Sequence, residues 1–69
     1  MEVTQIYVFT GNGFVKKANE FIRENQTYLS FDRDMSIDAT GNYISIVALV
    51  RLGMCEEIER RYTEKLGEQ

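Results

Sequence analysis

Two stretches of this chain, Val3 to Thr10 and Tyr43 to Leu52, carry apolar side chains at both parities of an extended strand. In the first, Ile6 and Val8 lie on one face and Val3, Tyr7 and Phe9 on the other. In the second, Ile44, Ile46, Ala48, Val50 and Leu52 oppose Val47 and Leu49. Side chains alternate across a strand, so apolar residues on both faces mean that both faces are covered. The helices of a chain of 69 residues cover one face of a sheet completely. The second face, read here as carrying Tyr7, Phe9, Val47 and Leu49, is then either wrapped by the second helix or covered by another subunit.

Between the strands lie punctuation and amphipathic stretches. Gly11-Asn12-Gly13 tolerates positive φ and ends the first strand before a helix from about Phe14 to Asn25. In that helix Phe14, Val15, Ala18, Phe21 and Ile22 form one apolar stripe, with Lys16, Lys17, Asn19, Glu20, Arg23 and Glu24 on the opposite side. Asn25 is a suitable stop, because asparagine accepts the left-handed conformation that ends many helices.

From Tyr28 to Ala39 apolar and polar residues alternate. Leu29, Phe31, Met35, Ile37 and Ala39 share one face, interrupted by Arg33, and Ser30, Asp32, Asp34, Ser36 and Asp38 share the other. This predicts a strand with one buried and one wet side. Ala39-Thr40-Gly41-Asn42 supplies a hairpin turn into the Tyr43 strand, which is the best central strand of the set. Gly53 separates it from a helix over Met54 to Leu66, where Met54, Ile58, Tyr62 and Leu66 form a narrow stripe. Glu56 with Arg60 and Glu57 with Arg61 stand at the i, i+4 spacing of helical ion pairs, worth about 0.2–0.5 kcal/mol each. The expected fold is a single α+β domain spanning residues 1–69, ordered β-α-β-β-α, with a three-stranded antiparallel sheet in spatial order 1-3-2.

Composition narrows the function. A chain this short buries only about 60% of the surface exposed by its unfolded form, and small proteins compensate with disulfides, metals or partner subunits. One cysteine, Cys55, and no histidine leave self-association. A net charge of −3 speaks against nucleic acid as the main partner, since phosphate neutralisation requires clustered Lys and Arg. The first residues lack the basic region of a signal peptide, and no apolar run approaches the roughly 20 residues of a membrane span, so a cytoplasmic protein is expected. General acid–base chemistry would fall to carboxylates, Tyr or Lys, and none of these stands at a recognisable catalytic spacing. Cys55 has no histidine to activate it. The reading is of a protein that is not an enzyme and that needs no cofactor or metal.

Two further surfaces are singled out. Gly11, Asn12, Gly13, Lys16 and Lys17 place free backbone N–H groups, a helix N-terminus and two ammonium groups together, as a phosphate or nucleotide site requires. The sequence lacks the Gly-Lys-Ser/Thr ending of a nucleotide-hydrolase loop, and the plain alternative is a tight connection into a soluble helix. Asp32, Asp34 and Asp38 share a strand face with neighbours about 7 Å apart, too far for direct chelation of one ion. Ile37 and Tyr43 also occupy the positions where a calcium loop needs glycine and a bidentate glutamate. The stripe reads as a solvated face or as an acidic docking surface for a basic partner.

The apolar first strand, the Asn19-Glu20-Phe21-Ile22-Arg23-Glu24-Asn25 helix end and the Tyr43-Ile44-Ser45-Ile46-Val47 hairpin strand together resemble the short strand-helix-hairpin proteins associated with bacterial sporulation and similar small bacteriophage proteins. The resemblance covers roughly Val3 to Leu52, carries over no catalytic residue, and implies a bacterial or phage cytoplasmic protein without enzymatic activity. The function expected from all of this is a homo-oligomeric binding protein that regulates or inhibits a macromolecular partner. The alternative is sequestration of a phosphorylated small molecule or nucleotide at the Gly-Asn-Gly turn.

Overall fold

The computed structural model describes residues 1–30 and 37–68. The elements run in the order β1 (Glu2–Thr10), α1 (Phe14–Asn25), β2 (Leu29–Ser30), β3 (Ile37–Ala39), β4 (Tyr43–Arg51), a 3-10 turn at Leu52–Met54, and α2 (Cys55–Gly67). β4 is central. β1 lies antiparallel along one edge, from Glu2 opposite Arg51 to Thr10 opposite Tyr43. β2 and β3 follow each other along the other edge, with Leu29 opposite Val50 and Ile37 opposite Ile46.

The fold is therefore α+β with an antiparallel sheet and two helices, but the sheet has four strands where three were expected. Ser30 stands opposite Leu49 and Ile37 opposite Ile46, so the chain advances seven residues while β4 advances three. An offset of four cannot belong to one ladder. It is even, however, so Ser30 before it and Asp38 after it stand on the same face, opposite Leu49 and Ser45. That is why the alternation from Leu29 to Ala39 reads as continuous.

Residues directly opposite in a ladder share a face. Tyr7 pairs with Ile46 and Phe9 with Ile44, which puts both aromatic rings on the face of Ile44, Ile46, Ala48 and Val50. All six are buried, together with Ala18 and Phe21 of α1, Leu29 of β2 and Ile58 of α2. The expectation that Tyr7 and Phe9 lie beside Val47 and Leu49 on the second face is thus corrected. Parity within one strand is only relative, and the cross-strand register decides which set meets the helices.

Both helices pack on that single face. The Tyr7, Phe9, Phe21 and Tyr62 rings meet with centroids 5.0 to 5.9 Å apart in tilted and edge-on arrangements, joining β1, α1 and α2. Burying each such side chain contributes about 1.5–3 kcal/mol, and each aromatic pair about 0.5–1.5 kcal/mol more. On α2 the buried stripe runs from Ile58 to Lys65 rather than to Leu66, which is 40% exposed. Seven residues complete two helical turns, so Lys65 returns to the Ile58 side.

Lys65 is kept charged there by Glu24 at 3.1 Å and Glu68 at 3.3 Å. Burial acts to lower its pKa, but hydrogen bonds from the ammonium to these two carboxylates outweigh that cost and raise it. A second polar tie joins the helices at Asn25. Its Nδ2 donates to Phe21 O at 2.9 Å, and its Oδ1 accepts from Arg61 Nη1 at 2.8 Å. Asn25 thus ends α1 through its side chain and not through a left-handed backbone; among the described residues only Gly11 and Gly13 have positive φ, 84° and 72°.

Candidate functional site

With α1 and α2 on one side, the other face of the sheet is left open. Its rows are Thr4 with Leu49 and Ser30, Ile6 with Val47, Val8 with Ser45 and Asp38, and Thr10 with Tyr43. Ile6 is 62% exposed and Val8 39%, while Val47 and Leu49 are partly shielded by their neighbours in the sheet. The second helix does not wrap round this face. Of the expected interaction residues, Val47 and Leu49 lie here, Ile6 and Val8 take the places assigned to Tyr7 and Phe9, and exposed Asp38 stands at the border. Asp32 and Asp34 lie outside the described residues.

The glycine turn forms a second surface. Asn12, Gly13, Lys16 and Lys17 line a hollow of about 260 Å³ together with Glu20 and Glu68. Gly11 stands behind it, its carbonyl accepting the Phe14 N–H at 3.3 Å. No side chain caps the start of α1 and its first turn carries no acidic residue, while the Lys17 N–H donates to Gly13 O at 2.9 Å. Lys17 Nζ reaches the Leu66 carbonyl at 3.4 Å. Four of the five residues read from the sequence line this hollow and Gly11 does not, while the carboxylates of Glu20 and Glu68 offset the two ammonium charges.

The third surface has no counterpart in the sequence reading. β1 is an edge strand, and a groove of about 620 Å³ separates it from α2, lined by Gln5, Cys55, Glu56, Glu59, Arg60 and Thr63. Tyr62 of α2 reaches the same strand edge at Val8. Its hydroxyl donates to Val8 O at 2.7 Å and accepts the Val8 N–H at 3.2 Å, so the peptide groups of Val8 point away from β4. Backbone direction alternates along a strand, and Thr4 and Ile6 face the same way. Their outward N–H and C=O groups have no hydrogen-bond partner among the described residues.

The charges around this groove are unevenly matched. Arg60 is held by both Glu57 and Glu64, and Arg61 donates to Glu57 at 3.1 Å. These hydrogen bonds, Arg60 first, hold the Glu57 carboxyl below its usual range. Arg60 therefore does not pair with Glu56 as its spacing predicts, and Glu56 and Glu59 make no ion pair among the described residues. Beneath them the Tyr7 hydroxyl is buried without a hydrogen-bond partner. Desolvation, with the Glu59, Cys55 and Tyr62 charges adding to it, pushes its pKa up to about 12. The legible signal was Tyr62: an aromatic with a polar tip on an otherwise aliphatic stripe seeks a partner for its hydroxyl.

Cys55 Sγ is 3.6 Å from Arg51 O and 4.0 Å from Val50 O, so its contacts are backbone carbonyls and not a base. Among the described residues no group of three or more His, Cys, Asp or Glu side chains is gathered for a metal ion, and no helix is long and apolar enough to cross a membrane. No family model, no curated protein and no solved structure matches this chain.

Proposed function

We propose that this chain is a non-catalytic binding protein, that its protomers associate through the open face of the sheet, and that the assembly regulates or blocks a macromolecular partner. The observation that carries the reading is the run of Ile6, Val8, Val47 and Leu49 on a face that neither helix covers. Contiguous apolar surface of this kind marks interfaces in soluble proteins. The molecule is a slab with Cα extents of 34 × 25 × 15 Å. Its broad face is on the order of 800 Å², the area one partner contributes to a stable interface. A chain of 69 residues also gains from such burial what a larger core would provide.

The test is molar mass by light scattering across a concentration series. The wild-type chain is expected to run as a multimer, and the Val47→Lys/Leu49→Lys variant as a folded monomer. A wild-type monomer at 100 µM (roughly the concentration reached by a micromolar interface) overturns the self-association.

A second reading, sequestration of a phosphorylated small molecule, is supported by the convergence of Asn12, Gly13, Lys16 and Lys17. Adenosine triphosphate at millimolar concentration is then expected to raise the melting temperature of the wild type and not of Lys16→Glu/Lys17→Glu. A wild type unmoved by any nucleotide removes this reading.

A further inference from the structure

We propose that the groove between β1 and α2 takes an extended, basic segment of a partner protein, which adds to the sheet as a strand along β1. The inference rests on reading the chain as a binding protein, but not on self-association through the sheet face. Two independent features adjoin at this edge of the sheet. The outward N–H and C=O groups of Thr4 and Ile6 form an open ladder, the element that strand addition uses for affinity. The α2 wall presents Glu56 and Glu59, while Arg60 is already engaged by Glu57 and Glu64.

These features specify the occupant. Side chains of an added strand alternate between its two faces. Those facing α2 meet the carboxylates of Glu56 and Glu59, which make no ion pair among the described residues, so lysine or arginine belongs there. Those on the opposite side extend the open sheet face beside Ile6 and Val8, where apolar or β-branched residues belong. A second copy of β1 fits poorly, because Glu2 is the only charged side chain between Met1 and Thr10 and because pairing two β1 edges sets the two acidic α2 faces side by side.

The probe is a fluorescein-labelled peptide, Lys-Val-Lys-Thr-Lys-Val-Lys, followed by fluorescence anisotropy. Saturable binding is expected, at least tenfold weaker to Glu56→Gln/Glu59→Gln. Binding is expected to vanish when the peptide is N-methylated at the residues whose N–H groups face β1, a change that keeps its charge and leaves the protein untouched. Absence of saturable binding, equal binding of the N-methylated peptide, or equal binding by the Gln variant overturns the proposal. The Val47→Lys/Leu49→Lys variant is expected to keep peptide affinity, so loss of the groove and loss of self-association are read separately.

Discussion

The ring and the hydroxyl of Tyr7 contribute to stability with opposite signs. The ring packs against Phe21 and Tyr62 at 5.0 and 5.1 Å, whereas the hydroxyl is buried without a partner. Leaving a buried polar group unpaired costs about 1–3 kcal/mol. Tyr7→Phe is therefore expected to raise unfolding free energy by about 1 kcal/mol, measured by urea denaturation at neutral pH. The same hydroxyl predicts a pH effect. Its folded pKa of about 12 exceeds the ordinary tyrosine value of 10.0, so the folded state holds this proton more tightly. Below pH 10 the proton is bound in both states and stability does not depend on pH through this group; as pH rises from 10 toward 12 the unfolded state loses the proton first and stability falls. Tyr7→Phe is expected to flatten that part of the alkaline decline, and an unchanged slope would show that Tyr7 does not set it. Nothing in the sequence marks this tyrosine, because its hydroxyl's isolation depends on residues from two other elements.

At the scale of elements, α1 is the most legible part of the chain. Its bounds follow from a 3.6-residue stripe and a glycine turn, both local signals. Gly13 adopts φ 72°, and a Cβ added there would find nothing within 4 Å, so a substitution meets backbone strain and not a clash. Gly13→Ala is expected to cost about 1–2 kcal/mol by thermal denaturation. Gly13→Asn is expected to cost less, since asparagine tolerates the left-handed region better than alanine. The sheet was legible in its strand directions and central strand, but not in its facing. Alternation identifies two sets of residues on each strand; pairing Tyr7 with Ile46 decides which set is inside. The split into β2 and β3 escaped for the same reason, because an offset of four preserves parity. The β1–α2 groove was illegible because it joins residues about 50 positions apart.

Taken whole, the molecule places its two helices and, among the described residues, its large buried aromatic rings on one side of β4, and neither helix covers the other side. The open face was legible as a consequence of arithmetic: two strands apolar on both faces exceed what two short helices cover. Which residues form it was not, and Ile6 and Val8 replace Tyr7 and Phe9. If protomers associate through this face as proposed, folding and assembly are one equilibrium, and the melting temperature is expected to rise with protein concentration for the wild type. For Val47→Lys/Leu49→Lys it is expected to stay constant; a concentration-independent wild type would separate stability from assembly.

The phenol of Tyr62 also limits what can be built on β1. Fibrillar stacks grow because each added strand presents a complete row of amides to the next. Here that row is broken at Val8, where both peptide groups are already spoken for by one hydroxyl from α2. A short guest strand fits beside Thr4 and Ile6, but an endless succession of copies finds its template interrupted. One side chain thus sets where along β1 a further strand could pair and where the row of amides stops.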